Sequence, residues 1–317
     1  MGSYAFRRIL LMFPTLLGIS FIAFGLANLA PGDPAQQYLT RVLGQPAPTE
    51  AIKRVRHELG LDRPLVVQYV DWLGHALTGD LGRSYSTRRE VATEIRHRLP
   101  YTLQLAIPAA LLSLAIAIPF GVFSSLYRGR APDHALRIAS LAGASLPSFW
   151  LALLLILFFS VHFSVFPVAG RGGLDSYALP VLTLSLAPAA VLARFTRSTM
   201  LEALGEDYVR TARAKGLPAR IVVARHAMRN ALIPVVTDFG TRLGHLLAGA
   251  VIVETIFVWP GLGKLTLDAV TERDYPMIQG MVLFAGLAVA VVNLLVDLSY
   301  TLIDARVRSG ARAASAA

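Results

Sequence analysis

Asp238, Arg242 and His245 lie four and three residues apart in a run that is otherwise apolar and glycine-rich. On a helix that spacing sets the three side chains along one stripe, and ionisable groups inside an apolar span are candidates for a pathway or gate by default. The plainer reading is a structural Asp238 to Arg242 ion pair near a membrane interface. His162 ends another apolar run, and with no second ligand at helical spacing it reads as an interfacial residue, so no metal site is expected. Gly263-Lys264 is the only Gly-Lys pair, and Val258 stands where a phosphate loop needs its first glycine. The absence of cysteine excludes thiolate catalysis, a cysteine zinc site and disulfides. No catalytic residue and no cofactor are therefore expected on this chain.

The residues that could do mechanical rather than covalent work lie in the basic insert 198–231. Leu204, Tyr208 and Ala212, then Ile221, Val222 and Arg225, suggest two short helices joined by a turn at Gly216-Leu217-Pro218. Small side chains at Ala212 and Ala214 would let another protein approach the helix backbone, with Arg210, Arg213 and Lys215 at the rim. A solvated basic loop that only fixes topology is the alternative. The length, the turn and the helical pattern favour a docking surface.

These groups are held by a very apolar chain. Of 317 residues 55% are hydrophobic and 16% charged, with a mean hydropathy of +0.55, which reads as a polytopic membrane protein. Six runs are candidates to cross the roughly 30 Å hydrocarbon core as helices: 9–30, 101–127, 135–161, 177–195, 232–258 and 277–303. The fourth is short and contains Pro180 and Pro188, which neighbouring helices can accommodate. Arg7 and Arg8, Arg128 and Arg130, the 198–231 cluster and Arg306, Arg308 and Arg312 all fall on one side, so both termini are expected in the cytoplasm. The net charge of +10 then belongs to loops facing anionic lipid and a protein partner rather than nucleic acid.

Residues 31–98 become an extracytoplasmic insert. Expected within it are a helix capped by Thr49 and ended by Gly60, a helix over 65–77 with Tyr69 and Trp72 at the membrane interface, a turn at 79–82, and an interfacial amphipathic helix over 88–98. Gly240 and Gly244, followed by Ala248, allow close helix approach, equally across a dimer seam or within the chain. Asp297 is expected to pair with Arg194 or Arg197. Residues 305–317 are expected to be a cytoplasmic tail, disordered in its alanine-rich part after Arg308.

Ordered words along nearly the whole chain carry a resemblance: LAPGDPA at 29–35, ELGLDRPLVVQYVDWL at 58–73, GDLGRSYSTRREVATEIRHRLPYTLQLA at 79–106, SLPSFWLALLLI at 145–156, EDYVRTARAKGL at 206–217, RHAMRNALIPV at 225–235 and VETIFVWPGLGKL at 253–265. The sequence resembles permease subunits of bacterial ABC importers for dipeptides and oligopeptides, a group that includes nickel and glutathione permeases. The resemblance implies an all-α membrane protein of six transmembrane helices in the type I ABC importer architecture. It implies a five-helix core over 99–304 behind a first span at 1–30.

The same resemblance implies a second homologous permease, two ATPase subunits that carry ATP and Mg, and an extracytoplasmic substrate-binding protein. In such families a short cytoplasmic helix docks into the ATPase. Here that is Glu206, Asp207, Tyr208, Arg210, Thr211, Ala212, Arg213, Lys215, Gly216 and Leu217. With the motif's glycine at Gly216, only Ala212 of its first three positions keeps the general residue, and its downstream isoleucine-x-leucine-proline falls on His226, Ala227, Met228 and Arg229. Glu254 with Trp259, Pro260 and Gly261 marks an outer loop that in similar transporters probes the binding protein, with an ordinary capped turn as the other reading. An ion-coupled secondary transporter is the rival from another class; it would need internal repeats and a buried coupling carboxylate near the midplane.

Overall fold

The computed structural model describes residues 2–29, 33–45 and 47–303. Among these residues the chain is helical, and the only extended pairing is an isolated bridge between Arg83 and Glu90. Its α-helices are α1 (Gly2–Leu29), α2 (Pro34–Leu43), α3 (Thr49–Glu58), α4 (Leu65–Leu77), α5 (Val91–Leu126), α6 (Ala131–Ser145), α7 (Ser148–Leu155), α8 (Ala178–Gly205), α9 (Asp207–Ala214), α10 (Ala219–Ile221), α11 (Met228–Ile256), α12 (Leu262–Thr271) and α13 (Tyr275–Ile303). Residues 1–100 and 260–291 form one compact unit, and residues 101–259 form another with the described residues from 292 on.

Among the described residues, three helical stretches are long and apolar enough to cross a membrane: Val91–Leu126, Leu174–Gly205 and Tyr275–Val296. The third expected span is not one straight helix. Its two halves, Ala131–Ser145 and Ser148–His162, meet at 105°. Pro147 is the cause: it drives Leu146 into extended backbone, with ψ 125°, and restarts the helix from its own carbonyl. The expected first span keeps a shorter apolar helix over Leu10–Leu26, and α11 carries charged residues.

In the first unit, Asp33 caps α2 by accepting from the Ala35 amide at 3.0 Å, and Gly44 ends that helix at φ 68°. Pro48 rather than Thr49 opens α3, because the Pro48 carbonyl takes the Ala51 and Ile52 amides at 3.0 and 3.1 Å. The 65–77 helix forms as expected. Its Tyr69 packs edge-on to Phe21 and Phe24 of α1, and its hydroxyl meets the Ser20 hydroxyl at 2.8 Å.

The expected interfacial helix over 88–98 is instead the start of the 36-residue α5. Val91 and Ile95 are buried against Leu262, Leu265, Met277 and Met281, so this face belongs to a protein core, not to a lipid surface. The same unit is tied by Asp274, which accepts the Tyr85 and Ser86 amides at 3.0 and 3.2 Å, the Ser84 hydroxyl, and the Met277 amide at the start of α13. Burial first, and then the Asp274 charge, push the Tyr85 phenol up to about 12, so it stays a neutral donor.

In the second unit α8 and α11 pack together, with Leu192, Ala193 and Val235 buried alongside Ala117 of α5. A side chain at Gly121 would put its Cβ 2.6 Å from the Ala193 carbonyl, so α5 and α8 cross there only because the residue is glycine. Gly240 faces Val296 in the same way, at 2.6 Å, which assigns this glycine to packing within the chain. Asp133 at the start of α6 is almost fully buried. It receives a bidentate ion pair from Arg197 of α8 at 2.7 and 2.8 Å, the Ser124 hydroxyl at 2.6 Å and the Gly129 amide at 2.9 Å. Arg197 is thus committed to Asp133; the expected pairing of Asp297 falls on a side chain outside the described residues. The tail 305–317 also lies outside them.

Two predictions follow from these ties. Asp133→Ala should cost about 3 kcal/mol, the low end for orphaning a buried charge because the Arg197 side chain keeps 21% of its exposure, read as thermal unfolding in detergent. Glu272 is bonded by Ser86 and then Arg41, which hold its carboxyl below the ordinary 4.5. A depressed carboxylate stabilises above its unfolded value and loses that contribution as pH falls through the folded one. Glu272→Gln should therefore melt lower than the parent at about pH 7 and match it at about pH 3.

Candidate functional site

The 198–231 segment is built by helix punctuation. At the end of α8, Glu206 turns extended, with φ −71° and ψ 151°. Its carbonyl then receives the Val209 and Arg210 amides at 3.0 and 3.2 Å, which starts α9. After the eight residues of α9 and Lys215, Gly216 takes φ 75°. Its amide bonds the Arg213 carbonyl at 2.9 Å and the Leu217 amide bonds Ala212 at 3.3 Å, the paired bonds of a Schellman motif. Pro218 then opens α10, whose amides at Ile221 and Val222 return to the Pro218 carbonyl. A π-helical turn, Val222–Ala227, carries the chain into α11. The first expected short helix and the turn are therefore present, whereas the second is the opening of a helical run that continues through the π-turn into α11.

One face of α9 is fixed and the other is free. Val209 and Ala212, three residues apart, are buried with Met200 and Ala203 of α8 and with Val222, Ala227 and Ala231. Ala212 is thus not a point of approach for another protein, as its small size suggested: it is the contact that seats α9 on its own chain. Val209, which sequence reading passed over, shares that task; its three-residue spacing from Ala212 was the available signal.

Glu206, Asp207, Tyr208, Arg210, Thr211, Arg213, Lys215, Gly216 and Leu217 are exposed. Arg210 and Asp207 pair at 3.2 Å on the surface, where such a pair contributes little. Beside them an open cleft of about 710 Å³ is lined by Tyr208, Arg225, His226, Arg229, Asn230 and Ile233.

On α11, Asp238 and Arg242 form a bidentate pair at 2.5 and 3.0 Å, the structural arrangement that was the plainer reading. His245 lies on the same helix, and its side chain is outside the described residues. The outer-turn residues do not present their side chains outward. Glu254 is fully buried and accepts from the Thr102 hydroxyl at 2.6 Å. Trp259 is fully buried, packs 4.8 Å from the Tyr177 ring, and donates its indole N–H to the Tyr101 carbonyl at 2.9 Å. With the Trp259 amide bonding the Glu254 carbonyl at 2.7 Å, this is a capped turn whose exposed member is Val258. Among the described residues no group of three or more histidine or acidic side chains could hold a metal ion.

The helical architecture and this helix-turn-helix insert between two long helices are those of a membrane transport subunit. The chain belongs to the family of binding-protein-dependent transport system inner membrane components, whose model matches residues 117–309; the family's N-terminal model matches residues 1–106. It is the inner-membrane permease of an ABC importer. Among its relatives are the di/tripeptide transport system permease protein DppB of Pseudomonas aeruginosa, 43% identical over 97% of this chain and 99% of that protein. The glutathione transport system permease protein GsiC of Escherichia coli K12 is 42% identical over the same shares. A solved structure, described as an amino acid ABC transporter with histidines, superimposes with a TM-score of 0.51 at 16% identity. It covers 66% of this chain and 94% of that one, and shares the fold.

The turn at Gly216 is open to test by substitution. A Cβ there meets nothing within 4 Å, so the cost of a side chain is that of a left-handed backbone alone. Gly216→Asn should be nearly neutral, Gly216→Ala should cost about 1 kcal/mol, and Gly216→Pro should cost more, since it also removes the amide donated to Arg213. Thermal unfolding of the purified permease gives the order.

Proposed function

We propose that residues 198–231 are the coupling loop through which separate ATPase subunits, carrying ATP and Mg, drive this permease. The observation that carries the reading is the two-faced α9: Val209 and Ala212 seat it firmly, while Tyr208, Arg210, Thr211 and Arg213 face outward. A helix so held passes a push on its free face to α8 and α11 rather than absorbing it. Closure of the ATPase pair would displace α9, tilt those two helices and bias the permease toward an outward-open state, and hydrolysis would return it.

The complete importer on this reading contains a second homologous permease, two ATPase subunits and an extracytoplasmic substrate-binding protein. Six spans would place both termini and the coupling loop in the cytoplasm and residues 31–98 outside, with the five-helix core over 99–304. The turn at Val258 is the proposed contact with the binding protein. It is exposed and held at φ 53°, a strained conformation for a β-branched residue. The cargo is most simply a dipeptide or oligopeptide, in keeping with the di/tripeptide relative, and a glutathione relative makes that tripeptide the alternative. Nickel is a further alternative, from the resemblance of the sequence words.

The test assembles the chain with its cognate permease and ATPases and reverses the free face with Tyr208→Glu and Arg213→Glu, which leave Val209 and Ala212 in place. Retention of the ATPases and ATP-dependent dipeptide uptake should each fall at least about tenfold, the size of a lost interface anchor. Parent uptake should survive collapse of the proton gradient and stop on ATP depletion. Unchanged retention and uptake in the double variant would remove the coupling role from this loop.

A further inference from the structure

The first unit contains a cavity of its own, of about 710 Å³. Its size lies within the range of about 300–1,000 Å³ in which small molecules are held. Aromatic groups wall it: Trp72 of α4, with Tyr38 and Tyr85, whose rings meet edge to face at 5.4 Å. Charges of both signs line it as well. Arg63 and Asp71 already neutralise each other at 3.0 Å. Glu58, Arg83 and Arg88 are exposed members of the same lining and enter no ion pair among the described residues.

The loop that carries the two arginines is rigidly built. The Arg88 amide bonds the Ser84 carbonyl at 3.0 Å, the Thr87 amide bonds the Ser84 hydroxyl at 2.9 Å, and the buried Asp274 holds Ser84, Tyr85 and Ser86 together. Arg88 itself is fixed at φ 60°, an uncommon conformation for a residue with a side chain. Backbone cost retained at a well-tied loop beside a cavity is a feature of ligand sites.

Asp80 lines the cavity too, but its carboxylate turns back to accept the Gly82 amide at 2.9 Å, which leaves the Glu58 carboxylate, two guanidinium groups and the aromatic walls to complement a small zwitterion. The carboxylate suits an ammonium group, and the guanidinium groups suit a carboxylate through paired N–H donors. We infer that this cavity is a binding site for a short peptide with free amino and carboxyl termini, held by Glu58 at one end and by Arg83 and Arg88 at the other. The site rests on the proposal that residues 31–98 face outward and that the cargo is peptidic. It would give the permease a way to hold cargo apart from the binding protein.

The experiment uses the assembled transporter in lipid nanodiscs without its binding protein and follows Trp72 fluorescence during titration with dialanine. Trp72→Phe, which leaves Trp150 and Trp259, identifies the signal. A saturable change is expected. N-acetyl-dialanine amide should bind at least about tenfold more weakly, and so should dialanine to the Arg83→Gln, Arg88→Gln double variant, the loss expected for one charged contact. No saturable Trp72 response up to about 10 mM dialanine, or a response indifferent to blocked termini and to the two arginines, overturns the site.

Uptake with the binding protein present is measured on the same preparation. Dialanine uptake without a Trp72 response rejects the cavity and leaves the transport reading standing. Failure of uptake rejects the peptide cargo, whatever the cavity binds.

Discussion

A charge that leaves water in so apolar a chain must bring its partners with it, and Asp133 meets that demand on every side. Two bonds from Arg197, one from Ser124 and one from the Gly129 amide satisfy a carboxylate that is almost fully buried. Neither half of the ion pair would be tolerable alone, since a lone buried charge costs several kcal/mol. The pair therefore joins three places in the chain that no apolar contact could specify as narrowly: the end of α5, the start of α6 and the last third of α8. Where α8 sits determines where α9 can sit, because α8 ends at Gly205 and α9 starts two residues later, at Asp207.

That constraint explains why the exposed loop is rigid although it is short and basic. An eight-residue helix has too few internal hydrogen bonds to persist in water by itself. α9 persists because Val209 and Ala212 are buried against α8 and the base of α11, and because the Schellman turn at Gly216 leaves its last carbonyls satisfied. The charged residues on its other face are exposed. They contribute little to holding the helix, as the exposed Arg210 to Asp207 pair illustrates.

What could be read from the sequence was whatever depended on local chemistry. Helix α4 was legible from end to end, and so were the Gly216 turn and the glycines Gly79 and Gly82, which take φ 88° and 79°. Local signals also marked two anchors that went unread: Asp133 follows a proline at the start of α6, and Asp274 stands just before α13, both ordinary places for a residue that caps a helix. The rest required knowing what lies across the gap. Ala212 has the size of a residue at an intermolecular contact and equally of one in a tight core, and only the position of α8 decides. Glu254 and Trp259 look like surface groups near a turn until Thr102 and the Tyr101 carbonyl are found beside them. The bend at Pro147 was hidden because proline inside an apolar run is compatible with a kinked span or with two helices. The alternation over 88–98 fitted a lipid interface and a protein core equally well; Leu262 and Met277 decide for the core.

The two ends of α11 have different kinds of anchor, and that difference has a mechanical consequence. At one end Ala227 and Ala231 pack with α9 through small apolar contacts that can slide. At the other, Glu254 and Trp259 are fastened to the start of the second unit's α5 segment by hydrogen bonds with defined directions, which break rather than slide. Twenty-nine residues of helix separate these ends, about 43 Å at 1.5 Å per residue. A displacement of α9 under the proposed coupling would therefore be taken up at the Met228 end of α11 and not at its Glu254 end, with the largest excursion at the basic cleft of Arg225 and Arg229. Pro234 lies close to that cleft and lacks an amide donor, so the helix is weakest where the movement enters it. A hinge so placed would let the segment of α11 before Pro234 move while the Asp238 to Arg242 pair and the turn at Val258 keep their geometry.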